Sequence, residues 1–375
     1  MIHCPHRPPC PGCPRFGEHG IAPAARRLLD ELARTHGLSV IQVDSGKTEG
    51  FRLRARLAIR GRVGSPKVGL FEAGSHRVVH VPNCRVHHPL INRVAAVVRR
   101  AVVETRLTCY SEAVHAGLAR YLQVAVERSS QTAQVVFIAN CATPEPVAAC
   151  LDLIRDQLGH DLHSLWFNSN CERSNTILGT DFQNWYGPAS ITDSFGGAAV
   201  YYPPGAFGQN NLDVAQLIIG HVRNEIPDGA RVVEFYAGVG AIGLSILAKV
   251  SEIRMNEVNP HSLHGLELGL AQLDTINRSK ILVVPGAAAQ SHTGGLQMQV
   301  VIVDPPRKGL DSGLLDYLIE QPPQRMVYVS CGIESFLRDT ARLTHGGKLR
   351  LSALTAFNLL PFTEHVETVA RFERS

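Results

Sequence analysis

Cys331 closes a short apolar strand, Tyr328-Val329-Ser330, and Glu367 stands in a second strand-like stretch, Pro361 to Arg371. A thiolate attacks and leaves readily, and a carboxylate can remove a proton, so this pair suits covalent catalysis with a nucleophile and a base. A buried core cysteine is the commoner fate of a thiol after a hydrophobic run. The assignment therefore depends on what surrounds the strand. Val300 to Val303 reads as another apolar strand, running into Asp304-Pro305-Pro306-Arg307-Lys308-Gly309-Leu310. Proline stiffens that loop, which places an acid and a guanidinium at a strand end, where open α/β sheets bind ligands.

Positioning these groups takes a sheet, and the pattern after Pro203-Pro204-Gly205 predicts one. A helix near 211–224 leads into Val232-Val233-Glu234-Phe235-Tyr236-Ala237-Gly238-Val239-Gly240, followed by a helix to about Lys249. Strands are expected near 252–258, 281–284, 299–304, 326–330, 348–355 and 366–373, with helices between them, giving a doubly wound α/β domain over 206–375. Glycines in Ala237-Gly238-Val239-Gly240 permit a tight turn and close approach of a ligand. Glu257, at the end of the next strand, can hold both hydroxyls of a ribose. A dinucleotide is the rival ligand, as in an NAD-dependent dehydrogenase. It is opposed by the late third glycine, Gly243, and by the Asp304-Pro305-Pro306 loop. Together these features resemble a Rossmann-like S-adenosylmethionine methyltransferase.

The front of the chain carries a different chemistry. Residues 1–120 hold 19 Lys+Arg against 8 Asp+Glu, or +11, and the remainder 18 against 25, or −7, summing to the formal net charge of +4. A basic front half suits a polyanion. Phe51 to Arg60 alternates as a half-buried strand, with Phe51, Leu53, Ala55, Leu57 and Ile59 on one side and Arg52, Arg54, Arg56 and Arg60 on the other. Like charges on one face repel, which favours an anionic partner over plain solvation. Cys4, Cys10 and Cys13 form C-x5-C-x2-C in a proline-rich loop, and Cys84 sits in a similar turn. Four thiolates suit tetrahedral zinc or a [4Fe–4S] cluster, and His3, His6, His87 and His88 leave mixed ligation open. Nine cysteines, an odd number, fit reduced thiols better than a disulfide framework. No run of eighteen apolar residues and no signal peptide is present, so a cytoplasmic protein without membrane contact is expected.

Amphipathic helices are expected over Pro23–His36 and Leu90–Val103, a hairpin about Ser129-Ser130-Gln131, and a helix over Glu145–Leu158. Three parts follow: a basic front region over 1–90, a small α+β domain over 91–205 and the α/β domain over 206–375.

Carbon-5 of uracil is a poor nucleophile, so its methylation needs prior addition of a nucleophile at C6 and later removal of the C5 proton. Cys331 and Glu367 meet those two needs. Arg307 stands where amino-methylating enzymes of similar layout carry an aromatic. At this point the chain resembles the RNA uracil-5 methyltransferases that carry an iron–sulfur cluster, most closely the short 23S rRNA branch that lacks a TRAM domain. The residues in common are Cys4, Cys10, Cys13 and Cys84; the Phe51-to-Leu57 strand; Ser174 to Gly179; Phe207 to Asn211; Tyr236 to Gly240; Asp304 to Arg307; Ser330-Cys331; and His365 to Glu367. The resemblance implies a nucleophile at Cys331 and a base at Glu367. It implies donor contacts from Gln209, Tyr236, Gly238, Glu257 and Asp304, and a [4Fe–4S] cluster on the four cysteines. It further implies RNA binding by residues 91–205 and a monomer. The chain departs from the family at Gly332, where Cys-Asn-Pro is usual, at Ala241, and at Ala287, where an acidic residue often meets the adenine. A tRNA uridine-5 methyltransferase, and an iron–sulfur or zinc RNA binder with an inactive methyltransferase domain, are the alternatives.

Overall fold

The structure, a computed structural model, describes residues 4–44, 46–291 and 299–375; His3 lies outside them. Two compact units form, one from Met1–Gly17, Lys47–Asp193 and Tyr202–Leu212, the other from Glu18–Gly46, Ser194–Tyr201 and Asp213–Ser375. Parts over 1–90, 91–205 and 206–375 are expected from the sequence, and here residues 18–46 belong to the second unit. The reason is packing. In the helix Pro23–Thr35, Ala25, Leu29 and Ala33 are buried in one core with Phe235, Val301 and Tyr328. The strand Ile41–Val43 then pairs in parallel with Leu349–Phe357.

The second unit is the expected doubly wound domain. Its eight-stranded sheet runs Ile41–Val43, Leu349–Phe357, Glu367–Arg374, Arg325–Ser330, Val300–Val303, Ala230–Phe235, Val250–Glu257 and Ile281–Pro285. The last five are parallel, and Glu367–Arg374 enters antiparallel between Arg325–Ser330 and Leu349–Phe357. Val300–Val303 is buried at all four positions, as a parallel strand covered on both faces should be. The helix after the glycine loop is shorter than expected, Ala241–Ser245.

In the first unit, a seven-stranded sheet runs Val78–His80, Ser65–Phe71, Arg54–Arg62, Ala119–Val126, Ala133–Ala139, Leu162–Ser169 and Asp181–Tyr186. The helices Pro89–Glu104 and Ala148–Leu158 belong to this unit, the first burying Ile91, Val94, Val98 and Ala101. The basic face expected on Arg54–Arg62 is not uniformly outward. Arg60 is buried, donating to Glu112 Oε1 at 2.7 Å and to the Arg120 carbonyl at 2.6 Å, with Tyr121, Tyr110 and Phe71 rings 4.8, 5.2 and 5.3 Å away. Aromatic faces and a carboxylate compensate its charge there. Among the described residues no helix is long and apolar enough to cross a membrane.

Candidate active site

Cys331 and Glu367 are brought together by strand register. Ser330 pairs with Thr368 in the antiparallel ladder, so the next step sets Cys331 opposite Glu367. Val303 pairs with Tyr328 in the parallel ladder on the other side, which puts Asp304 at the same edge of the sheet. Three chemistry-bearing residues thus converge at one edge of the sheet, Asp304 and Cys331 just past the carboxyl ends of their strands and Glu367 at the amino end of the antiparallel one, with Arg307 beside them.

The electrostatics of this corner are unusual. Burial, then the Glu367 and Asp304 carboxyls, push the Cys331 thiol up to about 11, against the pull of Arg307. Glu367 is buried, with Oε1 lacking a hydrogen-bond partner. Desolvation, then Asp304, hold its carboxyl well above the usual carboxylate range, and Arg307 opposes them. Desolvation lifts Asp304 to about 7. Cys331 therefore holds its proton near neutral pH, and both carboxyls are shifted toward their protonated forms. A cation set among them lowers all three together, because an opposite charge favours each ionised form.

The glycine loop supplies a second half-site in the same unit. Gly238 donates its N–H to Glu257 Oε2 at 2.7 Å, and Oε1 accepts from the Val258 and Asn259 amides at 2.8 and 2.7 Å. Tyr236 takes a left-handed backbone at φ 62°, strained for a non-glycine residue, and its hydroxyl accepts from the Asp311 amide at 3.1 Å. Tyr236, Gly238, Glu257 and Asp304 all lie at the carboxyl ends of adjacent strands. Gln209 lies in the other unit, on the loop after Pro204, so the second unit by itself does not include it.

Several residues that serve this corner were not singled out by the sequence. Glu234 is buried below the glycine loop, where burial, then Asp304, raise its carboxyl well above the usual range, and the Gly243 amide opposes this. Asn256 donates to the Val284 and Gly286 carbonyls, both at 2.9 Å, and to Ser291 Oγ at 2.8 Å, fixing the turn that contains Ala287. Asp339, fully buried on the helix Ile333–His345, accepts from Tyr328 Oη and the Leu310 amide, each at 2.8 Å. It thereby ties the Asp304–Leu310 loop to the strand that ends on Cys331. The available signal was a lone acid inside an apolar run or stripe. Replacing Asp339 with alanine leaves two buried donors unpaired and is expected to cost about 2–3 kcal/mol of stability. Urea unfolding measures this, and a loss under about 0.5 kcal/mol would show that the loop does not depend on the carboxylate.

Gly332 explains one departure from the family pattern. A Cβ there would come 2.6 Å from the Arg307 carbonyl oxygen and 2.8 Å from Ser335 Oγ. Ser335 Oγ itself donates to that carbonyl at 2.8 Å. The loop after the thiol and the loop carrying Arg307 thus touch backbone to side chain, at a separation only glycine allows.

In the first unit, Cys4, Cys10, Cys13 and Cys84 are all partly buried and unpaired by disulfide. Burial, then the Cys84 thiol and more weakly Cys10 and Cys4, push Cys13 up to about 12. Backbone amides face the sulfurs, Gly12 at Cys10 and His87 and Val86 at Cys84. The four sulfurs therefore share one electrostatic neighbourhood, with N–H donors that favour thiolates. Among the described residues no three His, Cys, Asp or Glu side chains close to the spacing of a single metal ion. Four thiols that raise one another's proton affinity, with backbone N–H donors at two of them, make a donor set that suits thiolate-bound iron or zinc.

Comparison with known proteins places the chain. Residues 291–375 match the family model described as tRNA (Uracil-5-)-methyltransferase. An uncharacterized RNA methyltransferase of Protochlamydia amoebophila is 35% identical over the whole of this chain and 98% of its own length. One from Enterococcus faecalis is 27% identical over 86% of this chain and 71% of its own. The chain belongs to the RNA methyltransferase family, and its residues 291–375 match the uracil-5 type. In fold it is similar to the Pyrococcus abyssi tRNA (uracil-54, C5)-methyltransferase solved with S-adenosyl-L-homocysteine. That likeness has TM-score 0.75 and 24% identity, over 93% of this chain and 81% of that one.

Proposed function

We propose that the protein methylates C5 of a uridine in RNA through a covalent bond between Cys331 Sγ and C6 of the ring. The observation that carries this reading is the ladder ending at Ser330 and Thr368, which brings Cys331 up to Glu367 with Asp304 acting on both. The Cys331 thiolate adds to C6, and the C5–C6 electron pair moves toward the O4 oxygen to give an enolate. C5 then takes the methyl group from the donor's sulfonium, whose sulfur keeps the electron pair of the broken bond. The Glu367 carboxylate removes the C5 proton, the C5–C6 double bond reforms, and the Cys331 thiolate leaves. Tyr236, Gly238, Glu257 and Asp304 are the proposed donor contacts. Asp304 keeps the sulfonium close, and that positive charge shifts Cys331 and Glu367 toward their ionised, reactive forms.

The substrate reading is 23S rRNA, supported by the resemblance of the whole cysteine-bearing chain to the ribosomal branch. Transfer RNA is the second reading, favoured by the family model and by the Pyrococcus relative that acts on tRNA. Mass mapping of 5-methyluridine in both RNAs, from cells with and without the protein, separates them. Loss of one ribosomal site supports the first reading, and loss of a tRNA site overturns it.

A [4Fe–4S] cluster on Cys4, Cys10, Cys13 and Cys84 is part of the same proposal, and it supplies a structural cross-link between the first loop and the turn at Cys84. Anaerobically purified protein is expected to be brown with about four irons per chain. Stoichiometric zinc without iron would contradict it.

A further inference from the structure

The first unit contains a cavity of about 290 Å³, lined among others by Arg52, Arg54, Arg56, Gln123, Gln134 and Phe207. No carboxylate lines it. Arg54 spans its wall, with its guanidinium 3.9 Å above the Tyr202 ring. It also lies so close to the Gly208 backbone that any Cβ there would overlap its Nη1. The fork is therefore confined by the Tyr202 ring and by the backbone of Gly208. Arg56 Nε donates to Gln123 Oε1 at 2.8 Å, and Gln123 Nε2 to the Pro204 carbonyl at 2.6 Å, so a second guanidinium is held as well.

Among the described residues no salt bridge engages Arg52, Arg54 or Arg56, and the side-chain partner of Arg54 is the Tyr202 hydroxyl. The Nε atoms of Arg52 and Arg54 are shielded from solvent and make no hydrogen bond. The carboxylate that acts on Arg54, Asp193, is itself gripped by Arg128 through Nε at 3.1 Å and Nη2 at 2.5 Å. Arg52 looks instead toward the Cys13 and Cys84 sulfurs. Buried charge is costly unless it is paired, and rigid forks with free N–H groups match phosphate oxygens. A cavity of this size sits at the small end of ligand sites, as suits one phosphate with its flanking atoms.

We infer that this cavity is a phosphate subsite for the RNA, in which Arg54 and Arg56 clasp one backbone phosphodiester. The phosphate chemistry follows from the guanidiniums, and its source in RNA rests on the proposed function. A free phosphate ion is the other source of the same chemistry.

The test uses the whole purified protein and a fluorescein-labelled eight-nucleotide oligouridylate, titrated at several salt concentrations. Methyl transfer is not read, so failure of the catalytic proposal leaves the result interpretable. Arg54→Gln is expected to weaken binding about tenfold, as loss of a charge-assisted hydrogen bond does. It should also reduce the slope of log affinity against log salt by about 0.7, one phosphate on a single strand. Arg56→Gln should act in the same direction, and it serves if Arg54→Gln fails to fold. Arg54→Lys should restore the slope while leaving part of the affinity loss, since it keeps the charge without the fork. Arg62→Gln, exposed at the end of the same strand, is the control and should change neither. Folded Arg54→Gln and Arg56→Gln proteins with unchanged slope would overturn the subsite. Displacement of the oligonucleotide by inorganic phosphate at concentrations too low to alter the ionic strength would assign the cavity to the free ion and overturn the RNA source.

Discussion

Cys331→Ala protein is expected to form neither methylated RNA nor a covalent complex, with activity falling by more than about a thousandfold. The thiol is the attacking group, and without attack at C6 the ring offers C5 no electron density for the methyl group. The flanking structure gives no substitute. Glu367 and Asp304 are shifted toward their protonated forms in the free protein, and both are weak nucleophiles beside a thiolate. The substitution removes only a half-buried sulfur at a strand end, so the sheet and the donor half-site should persist. Binding of S-adenosylmethionine within a few fold of the unmutated protein checks that. Retained methyl transfer would remove the thiolate from the mechanism.

Glu367→Gln should separate the steps instead of abolishing them. Attack and methyl transfer precede proton removal, so the variant is expected to add Cys331 to C6, methylate C5 and stop. The product is a protein–RNA complex that survives denaturation, with turnover down by about 10²–10⁴, the usual contribution of a positioned base. Glutamine matches the shape of a side chain that is 3% exposed, and it removes the need to bury an ionisable group beside Asp304. A denaturing gel with labelled RNA and S-adenosylmethionine reads the complex as a slow band. Normal turnover would mean that another base acts, and His365, 3.3 Å from Arg307 Nη2, would be the next residue to replace.

The chemical corner was legible because parallel sheets present ligands at their carboxyl ends. Once Val300–Val303 and Tyr328–Ser330 read as neighbouring strands, Asp304 and Cys331 had to share an edge. The register that sets Glu367 opposite Cys331 was less accessible, since it depends on an antiparallel strand arriving from the far end of the chain. The helix Pro23–Thr35 shows another limit: its stripe of Ala25, Leu29 and Ala33 predicts burial but not which core receives it. Arg60 shows a third. A two-residue period marks one face as apolar and leaves open whether the other meets water or a cage such as Phe71, Tyr110 and Tyr121. Asp339 and Glu234 could have been found as acids on apolar surfaces, where each needs a buried partner. Gly332 could not, because the Arg307 carbonyl that excludes a side chain comes from another loop.

The central claim is the bond between Cys331 and the ring, and it can be read directly. RNA in which uridines are replaced by 5-fluorouridine should trap the unmutated enzyme, because fluorine at C5 cannot leave as a proton. Digestion of the trapped complex and mass spectrometry of the cross-linked peptide locate the attachment. The expected result is one peptide spanning Cys331, carrying a methylated fluoropyrimidine nucleotide on the cysteine sulfur. Attachment at any other residue, or full methyl transfer to ordinary RNA with no trapped species on the fluorinated one, would contradict the mechanism.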